Sequence, residues 1–213
     1  MHLLKFIVFL TQTLLFIPFN HHPTKYTSNK VKALEFPITK TEATILLQPF
    51  TGFPNAELIY ISEQIKKIYP KVIIQNPIDL PQNAFNQVRK RYRADSIISY
   101  LSKQTKYGFL TIGLTTKDIS TTKGKNLDWG IMGLGLCPGK SCIVSSFRIK
   151  GKNRLEKVFK VAIHELGHTQ GLKHCPISTC LMRDAEGKDK LNEEKEFCPK
   201  CKKVLIKAGW GIK

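Results

Sequence analysis

The chain has 213 residues, 42% of them hydrophobic and 23% charged. That size and mixture exclude a disordered or fibrous protein and suit one ordinary domain with short terminal additions, long enough to bury a core. With 34 Lys and Arg against 16 Asp and Glu, the formal net charge is +18. Such a balance attracts nucleic acid, anionic lipid or acidic substrates. Here the basic residues are spread out and interleaved with apolar ones, which reads as a lysine-rich solvated surface, and no specific nucleic-acid partner is inferred.

The predicted elements run as follows. Met1–Lys5 precedes an apolar run from Phe6 to Phe19, interrupted by Thr11-Gln12-Thr13. The run is too short to cross a bilayer comfortably. A short basic start followed by such a run resembles a secretory signal or an anchor over residues 1–20, so export or membrane association through residues 6–19 is expected, with a cytoplasmic location as the alternative. Residues 21–41 are polar, carry Pro23 and Pro37, and read as a tether. Residues 42–213 then form the main domain. Ala43–Leu47 predicts a strand ended by Pro49, and Leu58, Ile61, Ile65 and Ile68 predict a helix over 55–69 with Asn55 as its N-cap. Val72–Ile74 predicts a second strand, Asn83 to about Gln104 a long helix, and Phe109–Leu114 a third strand. Two further strands, Trp129–Leu136 and Cys142–Ile149, are joined by a tight turn. A helix over about 153–170 packs through Leu155, Phe159, Ala162, Ile163 and Leu166. This order implies an α/β (α+β) domain: a mixed, mostly parallel sheet with an antiparallel edge strand, covered by helices. The upper part spans 42–171. The remainder, 172–213, is rich in Cys, Lys and Glu, and reads as a small irregular lobe held by something other than an apolar core.

The densest signal is His164-Glu165-Leu166-Gly167-His168-Thr169-Gln170-Gly171-Leu172-Lys173-His174. On a helix, His164 and His168 lie one turn apart on one face, where they can grip a single ion. Glu165 is displaced about 100° around the helix, able to reach a water on that ion without being a ligand. Gly171 can take a left-handed conformation, end the helix sharply and return the chain so that His174 becomes a third ligand. Three protein ligands leave a fourth position for water, the mark of a catalytic zinc. Scattered core or surface histidines are the bland alternative.

Cys175 and Cys180, then Cys198 and Cys201, form C-x4-C and C-x2-C pairs separated by a loop. That is the spacing of a tetrahedral four-cysteine zinc site, with two disulfides as the alternative. Cys137 and Cys142 stand apart, as a disulfide across their turn or as ordinary thiols.

Together these residues, with Met182 two places after Cys180, resemble the archaemetzincins, a branch of the metzincin metallopeptidases. Leu47-Gln48-Pro49, Leu80-Pro81, Arg91-Tyr92 and Val144-Ser145-Ser146-Phe147-Arg148 extend the resemblance over roughly residues 43–205. It implies a metzincin-like catalytic domain, a catalytic zinc on the three histidines, a structural zinc on the four cysteines, and Met182 as the methionine of a turn beneath the site. The interval from Met182 to Cys198 is about two residues shorter than the family pattern, and the amino-terminal apolar segment is unusual for it. The expected activity is peptide-bond hydrolysis through a metal-activated water, with Glu165 as general base. Rival readings are an aminopeptidase, a hydrolase of non-protein amides, and a zinc-held binding module whose basic surface docks nucleic acid or an acidic protein.

Overall fold

Burial on both faces marks the central strands of the main sheet. β1 (Thr44–Pro49), β5 (Phe109–Thr115) and β9 (Ser141–Ser145) turn Ile45, Leu47, Leu110, Ile112, Leu114, Cys142 and Val144 to one face. Phe50, just after β1, and Ile143 serve the opposite face. Nearly continuous burial along β5 and β9 is what a parallel strand covered on both sides requires. In this computed structural model, which describes residues 43–185 and 189–212, the strand order is β2-β1-β5-β9-β8, with β2 at Val72–Ile74 and β8 at Gly133–Gly135. The first four strands are parallel and β8 runs antiparallel to β9. The mixed sheet with an antiparallel edge strand is therefore present. The apolar run Phe6–Phe19 and the tether lie outside the described residues.

Two helices, α1 (Asn55–Lys66) and α3 (Arg154–Thr169), cover one face of this sheet, and α2 (Ala94–Gln104) covers the other. The expected Asn55 cap is not made. Pro54 holds that position without a side-chain bond, and the helix ends at Lys66. On α3, Val158, Val161, Ala162, Ile163 and Leu166 are buried, whereas Leu155 stays exposed and Phe159 only flanks the core. Each fully buried aliphatic side chain contributes about 1.5–3 kcal/mol, so this face fixes the helix firmly on the sheet.

The long helix expected from Asn83 is a correction. Only residues from Ala94 onward are helical. Before them lie a 3-10 turn (Gln82–Ala84), β3 (Phe85–Asn86) and β4 (Arg91–Arg93). Asn86 Oδ1 accepts bonds from the backbone N–H groups of Val88 and Arg89, both at 3.1 Å, a local turn that competes with helix. Lys90 then adopts a positive φ of 53°. These strands join β6 (Ile119–Lys123) and β7 (Asn126–Ile131) in a second sheet, ordered β3-β4-β6-β7. β6 has little apolar alternation to betray it. The strand expected over Trp129–Leu136 is divided at Met132, β7 pairing in the second sheet and β8 in the main one. The strand expected over Cys142–Ile149 stops at Ser145.

The carboxyl-terminal lobe also departs from expectation. Leu181, Met182, Leu191, Phe197, Leu205 and Trp210 are buried and continuous with the main core. Residues Pro199–Lys207 form a helix, α4. Trp210 packs on Tyr69, ring centroids 5.6 Å apart. Two lysines of α3 reach into the lobe: Lys157 Nζ pairs with Asp189 at 2.8 Å, and Lys160 Nζ donates to the carbonyls of Leu191 and Glu194 at 2.9 and 2.8 Å. The lobe's apolar residues are sparse in sequence, yet they dock on a surface that α1 and α3 already provide.

Candidate active site and metal centres

The site is built at the end of α3. Gly171 has φ +88°, its N–H bonds the His168 carbonyl at 2.8 Å, and the Leu172 N–H bonds the Gly167 carbonyl at 3.1 Å. This paired closure stops the helix and turns the chain back. His174 is thereby brought to His164 and His168, with ring centroids 4.8–5.4 Å apart.

Backbone carbonyls orient two of the three rings. His164 Nδ1 lies 2.6 Å from the Leu181 carbonyl and His168 Nδ1 lies 2.7 Å from the Leu172 carbonyl. A carbonyl only accepts, so each Nδ1 carries the proton and each Nε2 presents a lone pair. Those two Nε2 atoms face each other at 3.1 Å. Two lone pairs so close repel unless a cation lies between them. A tetrahedral zinc about 2.0–2.1 Å from each nitrogen separates its ligands by roughly 3.3 Å, which the site matches. Burial, then the neighbouring His168, holds the His164 ring neutral, its pKa lowered to about 3. His174 Nδ1 lies 3.4 Å from Asp184 Oδ2. Ligand orientation by carbonyls and a carboxylate is the usual support of a histidine metal site. The two carbonyls and Asp184 were missed in the sequence, since a backbone carbonyl has no residue signature.

Glu165 is buried beside this trio, beneath β8, and burial lifts its carboxyl to about 8. Met182 is fully buried, and a side chain on Gly167 would meet its Sδ at 2.5 Å, so the methionine fills the gap under the helix between the two histidine turns. Its carbonyl accepts the Cys175 N–H at 2.7 Å, which ties the segment to the residue after His174.

Cys175, Cys180, Cys198 and Cys201 are all buried thiols, their Sγ atoms within 4.8 Å of one another. Cys175 and Cys198 Sγ are 3.8 Å apart, the edge of a tetrahedron with metal–sulfur bonds of about 2.3 Å. The Cys198 N–H donates to Cys180 Sγ at 3.3 Å. Despite burial, bonds from the Cys201 backbone and thiol hold Cys198 below the ordinary thiol range. The cluster thus has the donor set of a closed zinc site. Cys137 and Cys142 are separate thiols; Cys142 is buried, and Cys137 Sγ approaches the Leu172 carbonyl, the acceptor for His168, at 3.3 Å.

The chain is similar in sequence and fold to known proteins. The pattern of peptidase family M54 matches residues 50–207. The chain belongs to peptidase family M54. Archaemetzincin from Archaeoglobus fulgidus is 30% identical over 161 residues, covering 74% of this chain and 95% of that protein. Archaemetzincin from Methanopyrus kandleri is 30% identical over 150 residues, covering 68% and 82%. Its crystal structure superposes with a TM-score of 0.67 at 26% identity, covering 79% of this chain and 96% of that one. The A. fulgidus archaemetzincin, crystallised in complex with malonate, gives a TM-score of 0.65 at 26% identity, covering 76% and 99%. Membership of M54 makes this chain a zinc metallopeptidase of the archaemetzincin family, whose substrates are peptides or proteins. The M54 match takes in both the histidine trio and the four cysteines.

Proposed function

We propose that this M54 peptidase hydrolyses peptide bonds with zinc on His164, His168 and His174 and with Glu165 as general base. A second, structural zinc would be held by Cys175, Cys180, Cys198 and Cys201. The observation that carries this reading is the convergence of three imidazoles, two with facing Nε2 lone pairs, beside a buried carboxylate. Bound zinc supplies a Lewis acid for the scissile carbonyl and makes water nucleophilic near neutral pH. Glu165, ionised once the positive charge of zinc on the three histidines offsets the burial that lifts its carboxyl, would take the proton of the attacking water and deliver it to the leaving amine. β8, the edge strand of the main sheet, offers its free backbone to an extended substrate, which pairs with it as an added strand. Met182 gives the site a rigid apolar floor, and Gly171 returns the chain that carries His174. We read the arrangement as metzincin-like. For the amino-terminal run Phe6–Phe19 we propose export or membrane anchorage.

The test is Glu165→Gln, assayed on a quenched-fluorescent peptide library alongside elemental analysis. Zinc content should be unchanged and turnover should fall at least about 10²–10⁴-fold, the usual contribution of a proton acceptor. Near-normal turnover in the purified variant would remove Glu165 from the mechanism. The products also separate an endopeptidase from an aminopeptidase or an amide hydrolase.

A further inference from the structure

The edge strand β8 is bare where it lies against α3. Its register sets Gly133 opposite Val144 and Gly135 opposite Cys142. Val144 and Cys142 are buried in the core that contains α3, and cross-strand partners share a face, so positions 133 and 135 face the helix as well. Leu134 alternates to the other side and packs in the α2 core. A methyl group on Gly133 would lie 2.5 Å from Glu165 Oε1, 2.6 Å from its Cγ and 2.8 Å from its Cδ. One on Gly135 would lie 2.7 Å from the Glu165 carbonyl oxygen and 3.0 Å from His168 Cβ.

Backbone freedom does not explain these glycines. The residues with positive φ include neither of them, so an alanine could adopt either conformation without strain. Two glycines in a three-residue strand otherwise weaken it, since each adds chain entropy and contributes no packing. What the positions require is the absence of a side chain, which lets another part of the protein approach the strand closely.

We infer that Gly133 and Gly135 are positioning residues for the catalytic site: Gly133 leaves the space that the Glu165 carboxylate occupies, and Gly135 lets the strand backbone close on the helix between Glu165 and His168. The inference rests on the reading of Glu165 as general base. The two glycines differ in what a side chain would displace. At position 133 it meets side-chain atoms of Glu165, which can turn about their own bonds; at 135 it meets helix backbone first, with Glu165 Oε2 farther off at 3.3 Å, and backbone cannot yield without lifting the strand.

The experiment compares Gly133→Ala and Gly135→Ala in the full chain, alone and with Glu165→Asp. For Gly133→Ala, zinc content and thermal midpoint should match the wild type. The kcat on the quenched-fluorescent peptide library should fall about 10²-fold, with KM changed less than about threefold, as expected for a base displaced by about an ångström. In the Glu165→Asp background, where the carboxylate is one methylene shorter, adding Gly133→Ala should cost less than about threefold more, the non-additivity of residues in contact. Gly135→Ala should lower the thermal midpoint and impair both kcat and KM. A crystal structure of zinc-loaded Gly133→Ala reads the effect without turnover: the carboxylate should have moved by about 1 Å or more, the scale at which misplacement is felt. A carboxylate in its original place, or kcat within about threefold of wild type while Glu165→Gln is inactive, would overturn the positioning role. Full activity of Glu165→Gln would instead overturn the general base, whatever the glycine variants do.

Discussion

At the scale of single residues, Glu194 is the clearest lever on stability outside the active site. It is 3% exposed, and burial lifts its carboxyl to about 7, with Lys160 and Arg183 opposing the shift. The unfolded carboxyl titrates near 4.5. Between those values the native state holds more protons than the unfolded chain, so stability falls as pH rises from about 4.5 to about 7 and levels off above. Glu194→Gln removes the buried charge. It should raise the thermal midpoint at pH 8, by about 2–4 °C for each kcal/mol of burial cost removed in a chain of this size, and give no gain at pH 4.5. An unchanged midpoint at pH 8 would mean that Lys160 and Arg183 already compensate the charge. Other residues owe their roles to neighbours that are distant in sequence. Leu181 and Leu172 act through carbonyls that no side-chain pattern reveals, and Asp184 acts on His174 across ten positions.

Among elements, the lobe after His174 couples two centres. Cys175 follows His174 directly, and Leu181, whose carbonyl holds His164, lies between Cys180 and Met182. Disturbing the cysteine cluster therefore disturbs two of the three histidines. Cys198→Ser should lower zinc content by more than one ion per chain and open residues 175–205 to protease, because structural metal binding is largely folding free energy. By contrast, His168→Ala should lose only the histidine-bound zinc and keep a resistant lobe. Elemental analysis with limited proteolysis checks both. A fully active Cys198→Ser with a resistant lobe would show that the buried residues Leu181, Phe197, Leu205 and Trp210, together with Lys157 and Lys160 of α3, hold the lobe without the metal.

For the whole molecule, the net charge of +18 and the amino-terminal apolar run bear on where the protein works. No helix among the described residues is long and apolar enough to cross a membrane. Residues 1–20 fused to a reporter should drive its secretion or membrane association, as a short basic start and an apolar run do in signal segments. A wholly cytosolic, soluble reporter with its leader intact would refute export.

What the sequence determined by itself was local chemistry and strong periodicity. His164, Glu165, His168, Gly171 and His174 are legible because helix pitch and a left-handed glycine fix their offsets within eleven residues. The four cysteines are legible because a tetrahedral thiolate site needs paired ligands close in sequence. The central strands and α3 follow from their buried apolar runs. Only the tertiary structure decided the second sheet, where Lys90 turns the chain left-handed and Arg91 and Arg148 both reach Asp118, pairs formed across some thirty residues. It alone decided the lobe's packing too, since Leu181, Phe197, Leu205 and Trp210 are spread over some thirty residues and gain a core from helices elsewhere in the chain. The bare face of β8 belongs with these: two glycines in a strand read as weakness until the carboxylate they accommodate is seen beneath them.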